Sequence, residues 1–178
     1  RSQISGTNNA LKGQEGHMNV YNNMSGYGNE GSNISRTTIV GTGNSLKNGE
    51  DNVVIGDFHK LDGGKHNVVL GSMASKEEVV TKTGSAWDGT KNDPRHFTDI
   101  TYTVKERVPI RRNTANIENA VMLGYNTDVK NNGGVALGSD SVASRDKGIA
   151  GYDPSRNATS TEGSPTWKST AAALSVGD

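Results

Sequence analysis

A short apolar run closed by glycine recurs at a fixed interval, and this repeat constrains the fold more than any other feature of the chain. Thr38-Ile39-Val40-Gly41, Val53-Val54-Ile55-Gly56 and Val68-Val69-Leu70-Gly71 follow one another every 15 residues. Val121-Met122-Leu123-Gly124 and Val135-Ala136-Leu137-Gly138 repeat the run 14 apart, and Gly148-Ile149-Ala150-Gly151 repeats it weakly after 13 more. One step backwards, Asn23-Met24-Ser25-Gly26 keeps the glycine but little of the apolar character. β-Branched residues dominate the runs, so each reads as a short strand, and apolar residues at alternating positions on both faces mark a strand buried on two sides. A second apolar site falls five residues after the glycine at Leu46, Leu61, Val129 and Ala143, with Lys76 breaking the series after Gly71. Asn48-Gly49, Gly63-Gly64 and Asn131-Asn132-Gly133-Gly134 supply turns between the two sites. A coil of 14–15 residues therefore holds two short strands and two turns. Successive coils stack in parallel about 4.8 Å apart, which is an all-β solenoid, a parallel β-roll, in which asparagines can ladder along the stack.

The repeat also explains a composition that otherwise reads as disorder. Leu, Ile, Val and Phe make up only 18% of the 178 residues, below the ~20% associated with disordered chains. Such chains carry high net charge as well, whereas this one balances 19 basic against 19 acidic residues. The same balance argues against a nucleic-acid binder driven by counterion release. With no cysteine there is no disulfide and no thiolate metal site. His17, His59, His66 and His96 are scattered; His59 and His66 fall on adjacent coils without a third ligand, so neither a metal nor another cofactor is expected. No apolar run reaches the ~18 residues of a membrane-spanning helix. The chain opens at Arg1-Ser2-Gln3 and stops at Ser175-Val176-Gly177-Asp178, which reads as a piece of a longer protein with its targeting and anchoring signals elsewhere. A coil this narrow buries only one face of each strand within itself. The other face, assigned here to Ile39, Val54, Val69 and Met122, needs a partner, so a homo-oligomer packed along the coil axis is expected.

Four regions follow: weak repeats over 1–34, regular coils over 35–71, an insertion over 72–118, and further coils with a C-terminal cap over 119–178. Gly71 and Gly124 lie 53 residues apart, roughly 38 more than one coil requires, and insertions in solenoids often project as binding loops. Ile100, Tyr102, Val104, Val108 and Ile110 occupy alternate positions, with Glu106 as the single polar exception, as a half-buried strand would. Trp87, His96, Phe97, Tyr102, Arg107, Arg111 and Arg112 are the candidate binding contacts, because exposed aromatics and arginines dominate binding hot spots. The alternative use of Trp87, Phe97 and Tyr102 is to pin the insertion against the roll or a neighbouring subunit. Trp167, in Ser164-Pro165-Thr166-Trp167-Lys168, is expected to be a buried anchor that closes the C-terminal end of the roll and helps subunit packing.

The recurring coils, the run Gly134-Val135-Ala136-Leu137-Gly138-Ser139-Asp140-Ser141-Val142-Ala143-Ser144 and the ending Ser169-Thr170-Ala171-Ala172-Ala173-Leu174-Ser175-Val176-Gly177-Asp178 resemble the YadA-like head of trimeric autotransporter adhesins. The resemblance covers about 35–71 and 119–178. It implies a left-handed parallel β-roll assembled as a homotrimer, with Ala173-Leu174-Ser175-Val176-Gly177-Asp178 leading into a neck that a coiled-coil stalk and an outer-membrane β-barrel follow. It also implies a head exposed at the bacterial surface that binds a host-cell receptor or matrix protein: collagen, fibronectin, laminin or an immunoglobulin-like receptor of the carcinoembryonic-antigen type. The family carries no catalytic residue, so none is expected here. A trimeric phage tail fibre or other structural spike would share the physics. A left-handed β-helix acyltransferase would need a six-residue period that this sequence lacks.

Overall fold

The computed structural model describes residues 1–13, 15–87 and 97–177. Every regular element among them is a strand. Eight strands form one parallel sheet along the length of the chain, in the order Gln3–Thr7, Asn23–Tyr27, Thr38–Thr42, Val53–Ile55, Val68–Leu70, Val121–Leu123, Val135–Leu137 and Leu174–Val176. A second parallel sheet, Ala10–Lys12, Glu30–Ser35, Ser45–Glu50 and Lys60–Asp62, lies across the coil from it. Asp128–Val129 and Val142–Ala143 pair in parallel in two later coils. The registers step by one coil, with Ile39 opposite Val54 and Val54 opposite Val69, then Val69 opposite Met122 across the insertion.

The core is a single file of side chains between the two sheets. Met24, Ile39, Val54, Val69, Met122 and Ala136 point inward from the first sheet, and Leu46, Leu61, Val129 and Ala143 close the file from the other side. The inward phase is therefore the reverse of the expectation above. Ile39, Val54, Val69 and Met122 are core residues of their own coil, at most 1% exposed. The positions flanking them face out: Val40, Ile55, Val68 and Leu70 are between 36% and 43% exposed, and Leu174 and Val176 reach 62% and 70%. The outward positions of the second sheet instead carry no large apolar side chain and include the charges Lys12, Glu30, Lys47, Lys60 and Asp62. The roll thus has one aliphatic outer flank and one charged one.

Two columns of buried polar side chains hold the turns in register. Asn29, Asn44 and His59 occupy one position in successive coils. Each asparagine Oδ1 accepts the next coil's backbone N–H at 2.9–3.1 Å, and Asn44 Nδ2 donates to the Gly56 carbonyl at 2.7 Å. Asn22, Thr37, Asn52 and Asn67 form the second column, where Asn67 Nδ2 donates to Asn52 Oδ1 at 2.9 Å and Ala120 N–H donates to Asn67 Oδ1 at 2.9 Å. Such groups stabilise the interior only when paired, and here the next coil supplies the pairing. On the surface of this second turn Arg36 pairs with Glu50 and Asp51, and Lys65 and His66 approach the same two carboxylates. His66 stands on this surface while His59 is in the core, so the two do not face each other.

Two further segments depart from the sequence reading. The weak repeat at 148–151 does not enter the main sheet; Ala150 bridges Lys168 instead, and the next rung is supplied by Leu174–Val176, paired with Val135–Leu137. Residues 145–172 form an excursion that carries a small antiparallel pair, Tyr152–Asp153 with Ala158–Thr159. Trp167 in this excursion is half-buried rather than a buried anchor, and it is tied mainly through its backbone, whose carbonyl accepts from Gly151 N–H at 2.6 Å. The N-terminal region, where periodicity is faint, still joins the main sheet: Met24 is fully buried and pairs in register with Ile4 and Ile39.

Candidate functional site

The interruption of the repeat is one long antiparallel hairpin, Ser75–Trp87 with Phe97–Pro109. Coil geometry resumes soon after it, since Asn113 and Ile117 are buried members of the roll. The chain leaves the roll after Ala74, with Met73 still buried in it, and returns at Ile110, whose N–H donates to the Ala74 carbonyl at 2.8 Å. His59 joins the two sides of this gap. Its Nε2 bonds the Gly71 carbonyl at 2.7 Å, and its Nδ1 meets the Asn113 side-chain amide at 3.2 Å.

Burial holds the His59 ring below the ordinary histidine range, against the opposing pull of those two hydrogen bonds. The folded state therefore keeps the ring neutral, whereas the unfolded chain takes up a proton near pH 6.5. This contribution to stability is complete above that pH and is lost as the pH falls below it, at up to about 1.4 kcal/mol per pH unit. Thermal melts between pH 7.5 and 5.5 are expected to show the loss. His59→Asn, which restores the residue of the neighbouring coils, should flatten the profile; an unchanged slope would refute the assignment.

Arg111 locks the hairpin base. It hydrogen-bonds Asn126 through Nε and through a second donor to the backbone carbonyl, and it lies 3.3 Å from the Asp128 carboxylate, which is 4% exposed. Thr114 donates to the same carboxylate from both N–H and hydroxyl, at 3.1 and 2.9 Å. Arg111 thus ties the hairpin base to the roll while also lining the groove beneath the hairpin. Arg107 donates to Ser75 Oγ at 3.3 Å. Tyr102 is 44% exposed, and its ring covers Gly84 on the paired strand. Arg112 is exposed beside Lys60. His96 lies outside the described residues, as do the side chains of Trp87 and Phe97, whose backbones pair at the far end of the hairpin.

Between hairpin and roll runs a groove made of two adjoining cavities of about 660 and 640 Å³. Its hairpin wall carries Lys76, Glu78, Lys82 and Glu106, and its floor is Tyr27, Gly28, Gly43 and Phe58. The floor residues are absent from the candidates chosen on sequence. One signal does mark three of them: Gly28, Gly43 and Phe58 each sit two places after a repeat glycine, in the column from which the insertion departs. Lys76 pairs with Glu78 and Lys82 with Glu106, so four of the wall's charges are already matched. Among the described residues no cluster of three or more His, Asp or Glu is placed to hold a metal ion, and no helix is long and apolar enough to cross a membrane.

The arrangement offers a surface for binding, with an aromatic and glycine floor between charged walls. Comparison with protein-family models, with curated proteins and with solved structures returns no match.

Proposed function

We propose that this chain is the head of a trimeric bacterial surface adhesin, carried outside the cell on an outer-membrane anchor, that binds a host-cell receptor or matrix protein. The observation that carries the reading is the aliphatic outer flank of the eight-stranded sheet. Parallel sheets are normally covered on both faces, and a row of Val, Ile and Leu along six rungs exceeds the scattered apolar residues of an ordinary surface. Two further copies, related by a threefold axis along the stack, would cover it from both sides. The coils would then have the left-handed sense of the resembled family, and the charged second sheet and the hairpin would face outward. The sequence resemblance supports the adhesive role, and an extended, groove-bearing roll suits it.

The reading is tested by applying the folded protein to immobilised collagen, fibronectin and laminin, and to epithelial cells with and without immunoglobulin-like receptors. Saturable binding to at least one surface is expected, and binding to none would reject the adhesive role. Within this reading the hairpin carries part of the receptor surface. Replacing 75–109 by a short Gly/Ser turn should leave the melting temperature within a few degrees, because no described hairpin residue is buried in the core. Binding should fall at least tenfold, and undiminished binding would move the receptor site to the roll face.

A further inference from the structure

The groove beneath the hairpin shows features that neither folding nor the hairpin's own pairing requires. The first is Phe58. It occupies a left-handed backbone position, φ 63°, whose equivalents in other coils are Asn8, Gly28, Gly43, Asn126 and Asp140. Asparagine, aspartate and glycine adopt that conformation readily, whereas a bulky aromatic does so only under strain. Strain kept at a surface position points to function. The ring gains no place in the core; it lies over Gly43 in the groove, with Tyr27, itself 54% exposed, also lining the floor.

The second feature is charge. The groove is lined by seven Lys and Arg side chains and two Glu, in a chain whose net charge is zero. Among the described residues Lys60 and Arg112 take part in no ion pair. They sit close enough that Arg112, after burial, helps to hold the Lys60 ammonium below the ordinary lysine range. Glu30 is the one carboxylate that acts on Lys60, and it is itself paired with Lys12, so the groove is short of negative charge around these two cations and favours an anion beside them.

The third feature is length. Asn8, Gly28, Gly43 and Phe58 line one side of the groove at successive coils, so at ~4.8 Å per rung the floor runs for roughly 14 Å. That suits a polymer rather than a single small ion. Two aromatic rings, Tyr27 and Phe58, with the open backbone of Gly28 between them, fit the flat apolar faces of sugar rings, and the cations fit charged substituents on them.

We propose that this groove binds a sulfated polysaccharide chain, with Phe58 and Tyr27 under the sugar rings and Lys60 and Arg112 on sulfate. The inference rests on the adhesive reading only for its biological setting, because a surface-exposed head meets such chains on host cells.

Calorimetric titration of the full chain with a size-defined heparin fragment tests it. Micromolar, salt-sensitive binding is expected, with chemically desulfated fragment at least tenfold weaker and sodium sulfate unable to compete at matched sulfate concentration. Lys60→Gln with Arg112→Gln should weaken binding at least tenfold at an unchanged melting temperature. Phe58→Gly, which places at this position the residue of the two preceding coils, should weaken binding several-fold while leaving the melting temperature equal or higher. No binding, undiminished binding in the folded variants, or tighter binding of polyglutamate or single-stranded DNA would each overturn the proposal. Heparinase treatment of cells separates the two readings. Adhesion that survives both heparinase and the variants removes this inference and leaves the adhesin. Heparin binding without adhesion to any surface does the reverse.

Discussion

Gly56→Val is expected to abolish folding. Gly56 has φ 144°, a backbone conformation that side chains with a Cβ rarely adopt. A Cβ placed there would also overlap the carbonyl oxygen of Gly71 in the next coil. That oxygen belongs to the rung itself and cannot swing away as a side chain would. Gly41 stands in the same relation to Gly56, so the two constraints are linked along the stack. Each coil of a solenoid is stabilised chiefly by its neighbours, and forcing one pair apart removes the interfaces on both sides. The expected loss exceeds about 4 kcal/mol, the range reserved for strain and overpacking in a core, against a typical total of about 5–15 kcal/mol. Circular dichroism should show the strand signal gone or the protein insoluble. A soluble variant melting within a few degrees of the parent would mean that the coils are not packed glycine against glycine.

The second large effect concerns assembly. Ile55→Lys combined with Leu70→Lys places two charges in the middle of the aliphatic flank, at positions that contribute nothing to the coil's own core. In an isolated chain the change exposes nothing new and removes apolar surface from water, so the monomer should tolerate it. In a trimer it buries six charges near one axis and removes six aliphatic side chains, each contributing roughly 1.5–3 kcal/mol when fully buried. The expected result is dissociation to monomers at micromolar concentration, read by light scattering coupled to size exclusion. Lys47→Asp on the charged flank serves as the control and should leave the mass unchanged. Equal masses for all three proteins would show that the aliphatic flank is not an interface.

How much of this was legible in the sequence depends on the residue concerned. The rungs with β-branched runs were plain, as were the inward Leu46, Leu61, Val129 and Ala143, because their spacing follows the coil. The phase of the first sheet is the reverse of the expected one. Where all three residues of a run are apolar, alternation alone does not say which points inward. Asn23-Met24-Ser25 held the answer: with both flanking positions polar, only the middle one stays apolar, and Met24 is the buried residue. The same polarity made this rung look weak, although a coil needs only that one side chain for its core.

The last rung was displaced by a decoy. Gly148-Ile149-Ala150-Gly151 has the spelling of a repeat, but the main sheet continues through Leu174–Val176. An excursion of this length erases the interval on which repeat detection depends. The first hairpin strand is hidden in the sequence for a different reason. Between Lys76 and Ala86 the sequence shows no clean alternation, and the strand forms because each residue pairs with Phe97–Pro109 across the ladder. The groove floor lay hidden in the columns. Gly28, Gly43 and Phe58 are far apart in sequence, and only stacking the coils brings them beside Lys60 and the hairpin.

The central claim is that the aliphatic flank is the shared interior of three chains. Sedimentation equilibrium of the unmodified protein at micromolar concentration addresses it without any substitution. A single species of three times the 18.8 kDa chain mass is the predicted result, and a stable, folded species of 18.8 kDa would contradict it.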